Sequence, residues 1–174
     1  RRIHAIPQQP LFEARLIPGD HTAADVRTRF GGLFDDAVAA VARAAQPWPF
    51  AVDPLQLARL AMRALPDADA WVALHSNPGL EHVFVDPQTG QLTGIIDFGD
   101  AYFSHPALDL RRWPRPIDRA AVHAGYCSEA EMSESFNQTW RVACVLTDML
   151  AIAQDLECRA AGLVELEELV EQLH

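Results

Sequence analysis

Lysine is missing from this chain: all 14 basic residues among its 174 are arginine. That excludes a side-chain Schiff base, a Walker-type phosphate lysine and any other catalytic amine of that kind. Cysteine is scarce and odd in number, with Cys127, Cys144 and Cys158 all in stretches that read as helix. They are read as buried free thiols of a cytosolic protein rather than a disulfide framework. No apolar run approaches the ~20 residues of a membrane span, and no signal peptide is visible, so a cytoplasmic location is expected. Positive charge is also short, and the formal net charge of -10 disfavours nucleic acid, whose binding rests on clustered cations. Cationic ligands are the better electrostatic match, beside the plainer role of the charge in solubility. The chain lacks an initiator Met, and Arg1-Arg2-Ile3-His4-Ala5-Ile6-Pro7 reads as the last turn of a helix. A fragment or a processed chain is expected. No repeat, low-complexity tract or linker divides it, so residues 1–174 are read as one domain.

What is present is mostly helical periodicity around one short β region. Asp20-His21-Thr22 offers N-caps for a helix carrying Val26, Phe30, Leu33, Phe34, Ala37, Val38 and Val41 at helical spacing. Gly31-Gly32 marks a kink or a close contact in its middle. Pro47-Trp48-Pro49 ends that segment, a second helix covers Pro54 to Leu65, and Pro66-Asp67-Ala68-Asp69 reads as a turn. Beyond Pro106, Phe136, Trp140, Ala143, Leu146, Leu150 and Ala153 form one face of a long helix. Leu163, Leu166, Leu169, Val170 and Leu173 form one on the last. Both stripes are read as core. Between these blocks, Trp71-Val72-Ala73-Leu74 is a short apolar run. His82-Val83-Phe84-Val85 and Leu92-Thr93-Gly94-Ile95-Ile96 then flank a turn containing Pro87 and Gly90. The pattern is that of a hairpin. Its geometry puts the loop before the first strand and the turn after the second at the same end, so Asn77, His82 and Asp97 share one cleft.

His75-Ser76-Asn77, with His82 five residues on and Asp97-Phe98-Gly99 twenty residues on, has the spacing of a kinase catalytic loop and its metal-binding turn. The segment from Leu74 to Asp86, then Leu92 to Ala101, then Pro106-Ala107-Leu108-Asp109-Leu110, resembles the C-terminal lobe of aminoglycoside phosphotransferase-type kinases. Members read His-Gly-Asp, a few residues, Asn or His, a hairpin, Ile-Asp-Phe/Trp and Asp-Pro-Ala-x-Asp-Leu. Ile3-His4-Ala5-Ile6-Pro7 resembles the end of the helix that follows the hinge in that family.

The resemblance implies a mainly α fold with a small β-hairpin (α+β), a protein-kinase-like C-terminal helical lobe lacking the N-terminal nucleotide lobe. It implies that Asn77 and His75 occupy the catalytic loop, Asn77 at the base position and His75 orienting the loop through backbone or Asp97. It assigns Asp97 and His82 as metal ligands, Asp109 as a buried brace, and Mg²⁺ and ATP as cofactors that this chain alone binds weakly. With His75, His82, Asp97 and His105 near one cleft, a transition metal is a lesser alternative. The acceptor would be a small-molecule alcohol or an aminoglycoside-like compound. Glu129, Glu131 and Glu134 could line its cleft, though a solvated helix start is the simpler reading.

An amide cannot take a proton at neutral pH, so Asn77 implies a phosphotransferase impaired by on the order of 10²–10⁴-fold. It could still position a hydroxyl by accepting its hydrogen bond. Ser76 stands where the family has Gly, and His105 where it has Asp. The alternative is a non-catalytic, pseudokinase-like module that binds a small cationic ligand or a protein partner; a helical scaffold with a relic hairpin is the third. Self-association, or pairing with the missing N-terminal lobe, is the expected protein contact, and neither nucleic acid nor membrane is expected as a partner.

Overall fold

The computed structural model describes residues 3–14, 17–154 and 157–173; Arg1 and Arg2, at the start of the segment read as a helix end, lie outside them. The elements run α1 (Gln8–Glu13), α2 (Ala23–Arg43), α3 (Pro54–Ala64), β1 (Val72–Leu74), β2 (Val83–Val85) and β3 (Leu92–Ile95). They continue with β4 (Tyr102–Ser104), α4 (Ala107–Leu110), α5 (Pro116–Cys127), α6 (Glu134–Ala153) and α7 (Arg159–Gln172). This is the helical architecture with a hairpin that the sequence led us to expect, plus one feature it did not disclose.

Helix α2 starts at a capping box. The Thr22 hydroxyl accepts from the Asp25 amide, and the Asp25 carboxylate accepts from the Thr22 amide, which satisfies amides that have no partner inside the helix. The glycine pair does not interrupt it: α2 is unbroken, a Cβ on Gly31 would lie 4.0 Å from Met62 Cε, and one on Gly32 would meet open space. Helix α3 begins with Asp53 as cap and Pro54 in the first turn, where a missing N–H is not needed.

Helix α6 is the axis of the core. It packs against α2, α3, α4 and α7, so more than one stripe is covered: Phe136, Val142, Val145, Leu146, Met149 and Ile152 are all buried. The expected single face was too narrow, and Trp140, Leu150 and Ala153 from it are only half-buried. Each large aliphatic side chain fully buried here contributes roughly 1.5–3 kcal/mol before entropy. Polar groups enter this core in pairs. Arg119 of α5 donates to the Trp113 and Pro114 carbonyls at 3.0 Å and to the carboxylates of Asp148 and Glu165. Burial pushes the Asp148 carboxyl up to about 8, against the opposing pull of the Arg119 guanidinium.

Among the described residues there are two small antiparallel sheets, where one β region was expected. β2 and β3 form the hairpin, with a bulge between Phe84 and Val85. β1 pairs instead with β4, in the register Val72↔Ser104, Ala73↔Phe103 and Leu74↔Tyr102. The chain before α2 then adds to this pair: the Asp20 amide donates to the Phe103 carbonyl at 2.8 Å and the Phe103 amide to Pro18 at 2.9 Å. A Cβ on Gly19 would lie 2.3 Å from Phe103 Cβ, so only glycine permits that approach. The opening segment is a turn followed by α1, rather than the end of a helix. Cys144 and Cys158 are buried free thiols as expected, but Cys127 is only half-buried. No helix among the described residues is long and apolar enough to cross a membrane.

Candidate functional site

The loop after β1 is held from below by one carboxylate. Asp109 lies in α4, is 4% exposed, and accepts the His75 amide at 2.8 Å on Oδ2 and the Ser76 amide at 2.7 Å on Oδ1. His4 Nε2 reaches Oδ2 at 3.1 Å while its Nδ1 faces the Tyr126 hydroxyl at 3.1 Å. Charge-assisted bonds of this kind are the stronger sort. They hold Ser76 at φ 79°, a left-handed conformation that costs an L-residue about 1–2 kcal/mol. Such strain persists only where surrounding contacts enforce it.

The ring of His75 is buried. Its Nε2 donates to the Ile96 carbonyl at 2.6 Å, so Nδ1 is the acceptor that faces the Asn77 amide at 3.3 Å. His75 therefore fastens the loop to the residue before Asp97, by backbone and not through the carboxylate. Phe98 packs edge-on against it, centroids 4.5 Å apart. Asp97 adopts φ 66°, which an Asp tolerates better than most residues, and its carboxylate is turned to solvent.

His82 completes the cluster. Its Nδ1 donates to the Asn77 carbonyl at 2.7 Å, which leaves the Nε2 of the neutral ring as an acceptor directed at Asp97 Oδ2, 3.6 Å away. Two acceptors so placed suit a cation between them. The three residues expected to face one another do meet: the backbone of Asn77, the ring of His82 and the carboxylate of Asp97 come together. The Asn77 side chain turns elsewhere, and its Oδ1 accepts from Arg112 Nε at 3.1 Å and Nη2 at 2.8 Å.

His105 does not belong to this group. It is fully buried behind β4, with Nε2 donating to Asp69 at 3.3 Å and Nδ1 accepting the Ala107 amide at 3.2 Å. Burial lowers its pKa to about 4, so it is neutral and structural. With His105 removed and both nitrogens of His75 engaged, the alternative of a histidine-rich transition-metal centre falls. Among the described residues no three His, Cys, Asp or Glu side chains gather as a metal site.

Beside Asn77 opens a cavity of about 470 Å³, lined by Glu81, Arg111, Arg112, Thr147 and Gln154. Sequence reasoning passed over both arginines. The signal was there, since Arg111-Arg112 directly follows the Pro-Ala-Leu-Asp-Leu segment, but only folding brings that doublet under the loop. The acidic residues that could have lined a cleft follow the simpler reading of a solvated helix start. Glu129, Glu131 and Glu134 are exposed before and at the start of α6, Glu129 on a different cavity.

The sequence profile of the phosphotransferase enzyme family matches residues 1–141, a span that contains α1 to α5 and every loop just described. The chain belongs to that family. Among solved structures, a macrolide 2'-phosphotransferase type I superposes with a TM-score of 0.53 at 20% identity, covering 98% of this chain and 55% of its own. At that identity the likeness speaks to the fold, and this member of the phosphotransferase family spans 55% of the length of that solved chain. No curated protein sequence matches it significantly.

Proposed function

We propose that these residues form the acceptor- and metal-binding lobe of an ATP-dependent phosphotransferase acting on a hydroxyl of a small molecule, impaired as written by Asn77. The observation that carries this is the joined loop and turn. Asp109 and His75 hold residues 75–77 against Ile96, and His82 meets Asp97 at 3.6 Å. Family membership supports the reaction class.

Asp97 fits a Mg²⁺ ion shared with nucleotide phosphates, because that ion takes one or two carboxylates and fills its other positions with phosphate and water oxygens. Its chemistry there would be neutralisation of charge on the transferring phosphoryl group. His82 is the poorer partner for that ion, and its firm task is to hold the Asn77 carbonyl. To position the acceptor hydroxyl Asn77 must turn its Oδ1 away from Arg112, and its amide cannot take the hydroxyl's proton. That limits transfer, since positioning and charge neutralisation then act without a general base.

Titrating Mg²⁺·ATP into the chain by calorimetry tests the reading. Binding lost in Asp97→Ala supports it, and binding indifferent to that change refutes it. A second reading, a non-catalytic module that binds a small molecule or a protein partner, is favoured by one contact: Arg112 already occupies the Asn77 amide oxygen through two N–H groups. The discriminating variant is Asn77→Asp. A rise in ATP-dependent phosphorylation favours the catalytic reading; no rise despite intact nucleotide binding favours the other.

A further inference from the structure

This chain is an anion overall, with 24 acidic and 14 basic residues, yet the cleft beside Asn77 carries the opposite sign. Arg111 lines that cleft and is only 5% exposed. No hydrogen bond or ion pair among the described residues engages its guanidinium, and its buried Nε has no acceptor. That is the costly arrangement for an arginine, because a desolvated cation needs an acceptor to replace water. The Nε of Arg119, equally buried one helix away, also has no acceptor, but two carbonyls and two carboxylates surround its terminal nitrogens. Arg112 adds a second uncompensated cation: its Nε and Nη2 donate to the neutral amide of Asn77, which leaves the Nη1–Nη2 edge as the fork open to a ligand. Among the described residues the one carboxylate lining the cleft is Glu81, which is exposed to water. Although burial lowers Arg111 to about 10, it stays protonated at neutral pH. Two cations meet one solvated carboxylate in a cavity of about 470 Å³, a size that suits a small metabolite.

We propose that this cleft is an oxyanion-binding subsite, and that the acceptor is an alcohol carrying a phosphate or carboxylate group rather than an amine. Arg111 supplies the desolvated charge, and Arg112 offers the fork that matches an oxyanion in two bonds. Thr147 anchors the pair from α6 by donating to the Arg111 carbonyl at 3.1 Å. The naming of the anion's carrier as the acceptor rests on the phosphotransferase reading; the anion site itself stands on the arginines. An acceptor anchored there would have its hydroxyl beside Asn77, at the edge of the loop that His82 ties to Asp97.

The test is calorimetry with glycerol 3-phosphate as the anionic alcohol and ethanolamine as the cationic one. Glycerol 3-phosphate should bind, lose affinity as salt rises, and weaken at least tenfold in Arg112→Gln while Arg112→Lys keeps part of it. Arg112 is half-buried at the cleft wall, and far-UV circular dichroism checks that both variants fold. Tighter binding of ethanolamine, or glycerol 3-phosphate binding unchanged in Arg112→Gln, overturns the proposal. Repeating the titration with Mg²⁺·AMP-PNP present separates two carriers of the same chemistry. Additive binding supports the acceptor, whereas displacement assigns the arginines to the nucleotide's own phosphate and overturns it. If glycerol 3-phosphate binds but Mg²⁺·ATP does not, the anion site stands and the phosphotransferase reading falls.

Discussion

Replacing Asp109 by asparagine should unfasten the loop without emptying the space. The carboxylate receives three donors from two parts of the chain, the consecutive amides of His75 and Ser76 and the Nε2 of His4, at 2.8, 2.7 and 3.1 Å. Asparagine has one acceptor oxygen and must aim its NH₂ at one side of this set. Either the Ser76 amide or the His75 and His4 pair then faces a donor. Hydrogen bonds to a charged acceptor contribute about 1.5–3 kcal/mol each, and a buried unpaired donor costs a similar amount. Losing one or two of them gives a destabilisation of roughly 2–5 kcal/mol.

Part of that loss should be local. Ser76 is held in a left-handed conformation, and freeing its amide lets the loop relax by about 1–2 kcal/mol of strain. Urea unfolding followed by circular dichroism measures the whole effect. Amide hydrogen exchange at His75 and Ser76 measures the local one, and a local change of about 3 kcal/mol means protection lower by on the order of 10²-fold. A loss under about 1 kcal/mol with unchanged protection at Ser76 would refute the view that this carboxylate holds the loop.

Two further outcomes follow from the same contacts. Ser76→Gly removes the left-handed penalty at φ 79° but adds chain entropy to the unfolded state, so a net stabilisation of roughly 0.5–1 kcal/mol is expected in urea melts; a destabilised variant would mean the serine side chain supports the loop. His105 has its folded pKa depressed to about 4 from an ordinary 6.5. The unfolded chain therefore binds the extra proton between those values, and stability is lost as pH falls from about 6.5 to 4, by up to roughly 3 kcal/mol. Burial shifts Asp148 the other way, so the readout is the difference between the wild-type and His105→Gln pH profiles, and identical slopes would sink the assignment.

Several elements were legible because their causes are local. The cap at Thr22, the turn around Gly90 and the apolar spacing of α2 all act within a few positions of the chain. The spacing of His75, Asn77, His82 and Asp97 was readable for the same reason, since a hairpin brings the ends of its flanking segments together by geometry alone. The β1–β4 pair was not readable, because three-residue strands carry too few side chains to show a period and Tyr102 is nearly thirty residues from its partner Leu74. The all-round burial of α6 was hidden for a related reason: a single periodic stripe does not count how many neighbours will cover a helix.

The sequence by itself determined the family frame, the missing lysine and the amide at the base position, since each is a matter of residue identity and spacing. It also fixed the overall negative charge, but charge summed along a chain says little about one cavity. Folding decided the sign of the field beside Asn77, by bringing Arg111 and Arg112 from the far side of the hairpin under the loop while leaving the acidic residues near the start of α6 in water. It also decided the histidines. His75 and His82 became fasteners of backbone, and His105 became a neutral core residue, because which nitrogen meets a carbonyl and which meets solvent depends on contacts that no spacing in the sequence encodes.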